Sequence, residues 1–379
     1  MRPRLLLAKS GMDALIARLA ADGWEVIGPR VEAGAIALGP IARAADLPIG
    51  VGVEQSPGRE RLVARGDRAW FAFAVGAQGW KRFVLPPELP LVAASRGGDG
   101  LAPTAAAPPP PRRAFVGVRP CELAALACQD RVLADPAAAA IDPWYAAARA
   151  RLLVVVVECD VPGGACFCAS MGTGPDVDDA AAGAADVVCT ELDDAFVVRV
   201  GTPRGAALAS ALAWPPAPAD AVAAASARMA AARAAMERHV DTDGLPALLH
   251  RNQEHPRWDV VAGRCLGCTS CTLVCPTCFC TGVDDETDLL ADGVTRVRRW
   301  DSCFAAGFAR VHGGSFRSSL RARYRQWLTH KFASWWDQFG GAGCVGCGRC
   351  ITWCPAGIDV TEEIAAIRAT DGARAEACP

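Results

Sequence analysis

The spacing of apolar residues predicts alternating helices and strands in the first part of the chain. Apolar positions at helical spacing predict a helix over 12–21, and short apolar runs predict strands over 24–28 and 114–118. The nearly continuous apolar run over 152–158 has the length of a buried strand. Because a helix is predicted over 120–134, between two such strands, we expect these strands to pair in parallel.

Pro-rich stretches and a change to helical patterning predict the domain organisation. A hairpin is expected over 187–200, and helices are expected over 221–240, 244–253 and 316–339. The predicted fold class is mixed α+β, with an N-terminal α/β region followed by a mostly helical domain. The predicted units are an N-terminal α/β region over 1–100, a Pro-rich linker over 101–113, an α/β domain over 114–214, a linker with helices over 215–257, and a helical domain over 258–379.

Two runs of four cysteines in the helical domain share one spacing, C-x2-C-x2-C-x3-C-P. Bacterial ferredoxins hold [4Fe–4S] clusters with this spacing, and the fourth cysteine of each run ligates the other cluster. The helical domain is therefore predicted to be a two-cluster, ferredoxin-like domain. We predict that Cys265, Cys268, Cys271 and Cys354 ligate the first cluster, and that Cys344, Cys347, Cys350 and Cys275 ligate the second.

Zinc and disulfide bonds are the weaker alternatives for these cysteines. A structural zinc site takes two C-x2-C pairs set well apart, so two cysteines of each run would be surplus. Disulfides are typical of secreted proteins, whereas the apolar run over 5–8 is too short for a secretion signal.

Four further cysteines predict a third [4Fe–4S] cluster. Cys121 follows the strand over 114–118, Cys159 follows the strand over 152–158, and Cys166 and Cys168 come shortly after. If the two strands are parallel neighbours, these thiols gather at the carboxyl edge of one sheet, where α/β proteins place their sites. Buried free thiols, a zinc site and a redox pair remain alternatives.

Cys278, Cys280 and Cys303 have no assigned partner in this scheme. We interpret them as packing thiols beside the first run. They are also candidates for an alternative fourth ligand, or for a cluster of their own that would bind a substrate directly. In that last case the protein would be an enzyme.

Composition and charge narrow the class of protein. The chain has 379 residues, 18 cysteines and a net charge of −2, which predicts metal ligation in a reducing cytoplasm and no nucleic-acid partner. No apolar stretch approaches the roughly 18 residues of a membrane span, so no membrane insertion is expected. The Arg-rich segment over 317–325 has RNA binding as an alternative, but we favour a helix that docks a partner or lies near anionic clusters.

Several short motifs carry a resemblance to a known family: GVRPC at 117–121, CFC at 166–168, VRVGT at 198–202, CPTCFC at 275–280, RWDSC at 299–303, GGSFR at 313–317 and CVGCGRC at 344–350. With them the chain resembles the iron–sulfur β subunit of cytoplasmic [NiFe] hydrogenases of the sulfhydrogenase type. It also resembles the iron–sulfur electron-transfer subunit of anaerobic sulfite reductases.

The resemblance implies an electron-transfer subunit without a catalytic site of its own. Such a subunit works beside a flavin subunit that binds NAD(P)H, and it exchanges electrons with a catalytic subunit of the [NiFe] hydrogenase or sirohaem sulfite reductase type. Cysteines matching Cys121, Cys159, Cys166 and Cys168 belong to the family pattern, which favours the third cluster.

Overall fold

The computed structural model describes residues 3–97, 100–104, 107–137, 140–287 and 293–373. The last residues of the predicted helical domain, 374–379, and positions 105 and 106 of the predicted linker lie outside the described residues. The strands are β1 Arg4–Ala8, β2 Glu25–Glu32, β3 Ala35–Pro40, β4 Val51–Ser56, β5 Arg59–Ala64, β6 Glu88–Gly97, β7 Gly100–Thr104, β8 Arg113–Val118, β9 Leu152–Val157, β10 Val187–Glu191, β11 Ala195–Val200, β12 Thr281–Thr287, β13 Gly293–Trp300, β14 Arg310–Val311 and β15 Gly314–Ser315. The helices are α1 Met12–Ala21, α2 Lys81–Val84, α3 Pro120–Leu133, α4 Pro143–Ala150, α5 Pro203–Ala211, α6 Ala219–Ala234, α7 Leu245–Arg251, α8 Arg257–Arg264, α9 Ser270–Leu273, α10 Leu320–Thr329, α11 Trp335–Phe339, α12 Arg349–Thr352 and α13 Val360–Ala369.

A seven-stranded sheet, counted over the described residues, has the order β1-β11-β10-β9-β8-β2-β3. Strands β2, β8, β9 and β10 run parallel, and antiparallel strands flank them on both sides. The parallel pairing predicted for 114–118 and 152–158 is confirmed, as is the hairpin formed by β10 and β11. All six side chains of β9 are buried, which explains its continuous apolar sequence.

Both sheets draw strands from distant parts of the chain. The main sheet combines β1, β2 and β3 with β8 to β11, so the regions predicted as separate units over 1–100 and 114–214 share one sheet. A second sheet, β12-β13-β6-β7, pairs the strands before the Pro-rich segment with the insertion between the two cysteine runs. Strand pairing is satisfied by any neighbour with free backbone groups, so the Pro-rich segment does not mark a structural boundary.

The C-terminal part is helical and packs around aromatic side chains. The helix predicted over 316–339 begins at Leu320 and continues to Phe339, with a turn of π-helix over His330–Ser334. Trp258, Tyr324 and Trp327 form the centre of the core of this part. The π turn is a common device for aiming side chains at a functional site.

A loop from the sheet half packs directly on the second cysteine run. The backbone N–H of Phe167 donates to the carbonyl of Gly346 at 2.8 Å. Gly346 and Gly348 have φ angles of 62° and 75°, a region that disfavours any side chain. A Cβ atom on Gly348 would lie 2.4 Å from the Ala165 carbonyl oxygen. The two halves therefore meet at glycines that cannot be enlarged.

We predict that Gly348→Ala destabilises the protein, because it adds left-handed backbone strain of roughly 1–3 kcal/mol and a clash with Ala165. Denaturant unfolding of the anaerobically purified chain measures the loss. Gly263→Ala is the matched control, since Gly263 lies in helix α8 with no atom within 4 Å of its added Cβ. The control should stabilise the helix by up to about 1 kcal/mol. Equal unfolding midpoints for the two variants would contradict the packing described here.

Candidate metal-cluster site

The two cysteine runs adopt the same backbone conformation. Gly267 and Gly346, at equivalent positions, both have a φ angle of 62°. Thr269 and Gly348 are both left-handed, with φ angles of 67° and 75°, and each precedes a one-turn helix, α9 or α12. These two helices lie against each other. The runs are therefore two copies of one cysteine-presenting turn, placed face to face.

The first cavity between these helices encloses about 470 Å³. Its wall contains all four cysteines predicted for the first cluster, Cys265, Cys268, Cys271 and Cys354, together with Cys350. The remaining wall is apolar and aromatic, with Phe304, Tyr324 and Trp327 among its residues.

The second cavity encloses about 370 Å³ and contains all four cysteines predicted for the second cluster, Cys344, Cys347, Cys350 and Cys275. Cys275 and Cys354 thus each lie on the cavity of the opposite run. This arrangement matches the predicted exchange of fourth ligands, and the ligand assignment itself stays a prediction.

Burial keeps these thiols protonated unless a metal takes the place of the proton. It raises the pKa of Cys344 to about 12, and it raises the pKa values of Cys271 and Cys350 above that of an ordinary thiol. Thiolates are the form that ligates iron, and a bound cation stabilises them strongly. The cavities therefore suit thiolates that share their charge with a metal centre.

Three buried hydrogen-bond donors on the cavity walls lack a partner within the described part of the chain: Trp327 Nε1, Tyr324 Oη and Arg349 Nη1. Buried donors normally find acceptors, so each unpaired donor calls for an explanation. The sulfur atoms of [4Fe–4S] clusters accept such bonds, which also tune the cluster potential. The residues present therefore fit two clusters in these cavities.

A single metal ion would be held differently. Over the described ranges, no group of three or more His, Cys, Asp or Glu side chains converges closely enough to hold one ion. A four-iron cube takes its ligands at separate corners, so cysteines spread around a cavity wall suit it.

The four cysteines of the predicted third cluster lie beside the second run. Cys121 is in the first turn of α3 and Cys159 follows β9, at the carboxyl edge of neighbouring parallel strands as expected. Cys121 and Cys168 pack with Cys347 in one apolar cluster, and the Sγ atom of Cys166 lies 3.8 Å from the Cys347 carbonyl oxygen. Burial raises the pKa of Cys166 to about 12. The third cluster remains a prediction.

A third cavity, of about 750 Å³, is lined by Cys278, Cys280 and Cys303 together with His330 and Lys331. Burial lowers the pKa of His330 to about 4, so its imidazole is neutral. These cysteines are therefore more than packing thiols beside the first run, because they share a cavity of their own.

Two comparisons with known proteins agree with this geometry. Residues 264–358 match the 4Fe-4S dicluster domain family. The chain is also 34% identical, over 262 residues, to sulfhydrogenase 2 subunit beta of Pyrococcus furiosus, an alignment that covers 66% of this chain and 73% of that protein. The chain belongs to the sulfhydrogenase β-subunit family. It is an iron–sulfur protein of the electron-transfer type, and it carries [4Fe–4S] clusters.

Membership of the sulfhydrogenase β-subunit family means that the chain has partner subunits. Within the described ranges, no helix combines the length and the apolar character needed to span a membrane. The arginines of α10 are engaged inside the chain: Arg321 and Arg325 pair with Glu254, and Arg323 donates to the carbonyls of Arg317 and Phe304. These internal contacts explain the Arg-rich segment without RNA.

Two lysines at the cluster site are not among the residues predicted from the sequence. Lys331 is buried, and its Nζ donates to Cys275 Sγ at 3.3 Å, to Thr277 Oγ1 at 2.9 Å and to the Gly343 carbonyl at 3.2 Å. Burial lowers the pKa of Lys331, but the neighbouring Cys275 and Cys278 outweigh it and raise the pKa well above its ordinary value. Lys81 is equally buried, and its Nζ donates to the Cys278 carbonyl at 3.1 Å. No spacing in the sequence marks either residue.

We predict that exchange of the fourth ligands can be read out cluster by cluster. In a Cys265→Ala, Cys268→Ala background the second cluster should remain. Adding Cys354→Ser should leave its electron paramagnetic resonance (EPR) spectrum unchanged, whereas adding Cys275→Ser should alter or abolish it. The opposite pattern would show that each run ligates only its own cluster.

We predict that Lys331→Met makes the potential of the second cluster more negative. Unit charges about 4 Å apart interact by roughly 4 kcal/mol at an effective dielectric of 20, which corresponds to a shift on the order of 100 mV for one electron. An EPR-monitored redox titration measures the shift. Lys331→Arg keeps the charge and should shift the potential much less, and equal potentials in all three proteins would refute the electrostatic role.

Proposed function

We propose that this chain relays single electrons between a flavin subunit that binds NAD(P)H and a catalytic subunit of the [NiFe] hydrogenase type. A reduced flavin carries two electrons, and [4Fe–4S] clusters pass them on one at a time. The relative from Pyrococcus furiosus is named as the β subunit of a sulfhydrogenase, which supports partners of this kind. The thiol ligands require a reducing compartment, which supports the cytoplasm.

One observation carries the proposal: the two cysteine-lined cavities share a wall. Cys350 and Trp327 line both the first and the second cavity. Centres in these cavities would therefore be close neighbours with no solvent between them. Two adjacent buried redox centres form a wire, and a wire is useful when electrons arrive at one end and leave at the other.

The first cavity opens toward the surface and would be one end of this wire. Cys268 is exposed, and the neighbouring Leu266 is 68% exposed. The second cavity lies deeper, where Cys347 is buried beneath the loop of the sheet half. A partner subunit would thus approach the first cavity most closely.

The complex purified with its flavin and catalytic subunits tests the relay. Under anaerobic conditions NAD(P)H should reduce the clusters of the intact complex, and dithionite should reduce those of the isolated chain. NAD(P)H alone should not reduce the isolated chain. Cys268→Ala should lower the rate at which the catalytic subunit receives electrons from NAD(P)H at least tenfold, because it removes a ligand of the first cluster.

Cys128→Ala is the matched control, since Cys128 is a buried thiol that belongs to no predicted cluster. Its complex should transfer electrons at the rate of the unchanged protein. An isolated chain that reduces sulfite or a disulfide at a steady rate would refute the relay and favour an enzyme.

A further inference from the structure

The strands of the second sheet hold two leftover cysteines side by side. Cys280 directly precedes β12, and Cys303 comes shortly after β13 ends at Trp300. Thr281 and Trp300 are paired in the antiparallel register, and the Asp301 N–H donates to the Cys280 carbonyl at 2.9 Å. Because the ladder closes at this point, both cysteines are fixed on the same cavity wall.

Cys278 completes the set from the turn that follows the first run. Its N–H donates to the Cys275 carbonyl at 3.4 Å, and its own carbonyl accepts from Lys81. The cavity lined by Cys278, Cys280 and Cys303 encloses about 750 Å³, against about 470 and 370 Å³ for the two predicted cluster cavities. It therefore has room for a centre of the same size.

The surroundings of this cavity are positively charged. Lys331 and Arg317 line it, and the Nζ of Lys81 lies behind Cys278, 3.8 Å from the ring centroid of Trp300. Neither Lys81 nor Lys331 forms a salt bridge with a carboxylate in the part of the chain that the structure describes. Asp301, beside Cys280, is the acidic group that faces these cations. A buried ammonium group is costly unless an anion balances it, so the cavity suits an anionic occupant.

A fourth ligand is available on the same wall. His330 lies in the π turn, one residue before Lys331, and lines the cavity with the three cysteines. The rings of Phe279 and Trp335 hold its imidazole, each with a centroid distance of 6.4 Å. Imidazole replaces cysteine as a ligand in some iron–sulfur centres. The wall therefore offers three thiolates and one ring nitrogen.

We infer that Cys278, Cys280 and Cys303, with His330 as fourth ligand, hold a further [4Fe–4S] cluster. The inference rests on the proposed function, since it adds a centre to the relay. Lys331 lines both this cavity and the second one and donates to Cys275, so it links the new centre to the second cluster. The centre is distinct from the predicted one at Cys121, Cys159, Cys166 and Cys168.

The test compares iron and acid-labile sulfide per chain in anaerobically reconstituted variants. Cys280→Ser and Cys303→Ser, each alone and then together, preserve side-chain volume. The double variant should contain about four fewer iron atoms and four fewer sulfides than the unchanged chain. Its first and second clusters should keep their EPR signals. His330→Ala should retain most of the iron but change the spectrum and potential of the added centre, and His330→Cys should restore its stability.

Cys128→Ser is the control and should leave the iron content unchanged. Unaltered iron and sulfide in the double variant would overturn the inference and leave these residues as packing or redox thiols. Zinc in place of iron at this site would also overturn it. A chain without iron in any form would instead refute the proposed relay, so the two failures are distinguishable.

Discussion

A thiolate buried in an apolar wall is stable only when a positive charge shares its electrons, and this constraint organises the molecule. The cysteines of both runs face cavities walled by aromatic and aliphatic side chains, where burial favours the neutral thiol. The chain supplies part of the compensation through Lys331, and the metal centres must supply the rest. The folded C-terminal part is therefore a container whose shape makes physical sense only when it is filled.

Arg349 extends this constraint to the sheet half. Its side chain is buried, forms a salt bridge with Glu122 at 2.6 Å and donates to the Gly76 carbonyl at 2.7 Å. Its neighbours in sequence belong to the second cysteine run, whereas Glu122 directly follows Cys121 in helix α3. A buried charge pair costs desolvation and requires accurate geometry, so it fixes the orientation of the sheet relative to the clusters.

Local patterns were predictable from the sequence, and long-range pairings were not. The helix over Met12–Ala21, the parallel strands β8 and β9 and the cysteine runs all depend on residues close together in the chain. Lys81 reaches a carbonyl 197 positions away, and β6 pairs with β13 across the whole central region. Such contacts depend on which surfaces the fold brings together, and no short-range spacing encodes them. The role of His330 could not be predicted for the same reason, because it comes from the cavity around the ring.

The pairing of β6 with β13 also bears on how the protein is made. Strand β6 ends at Gly97 and β13 begins at Gly293, so roughly two hundred residues are translated before the partner appears. At ribosomal speeds of about 5–20 residues per second, one edge of β6 waits for about 10–40 s. An unpaired strand edge is prone to join other chains. Newly made chains thus pass through a sticky period that ends only when the segment after the first cysteine run has left the ribosome.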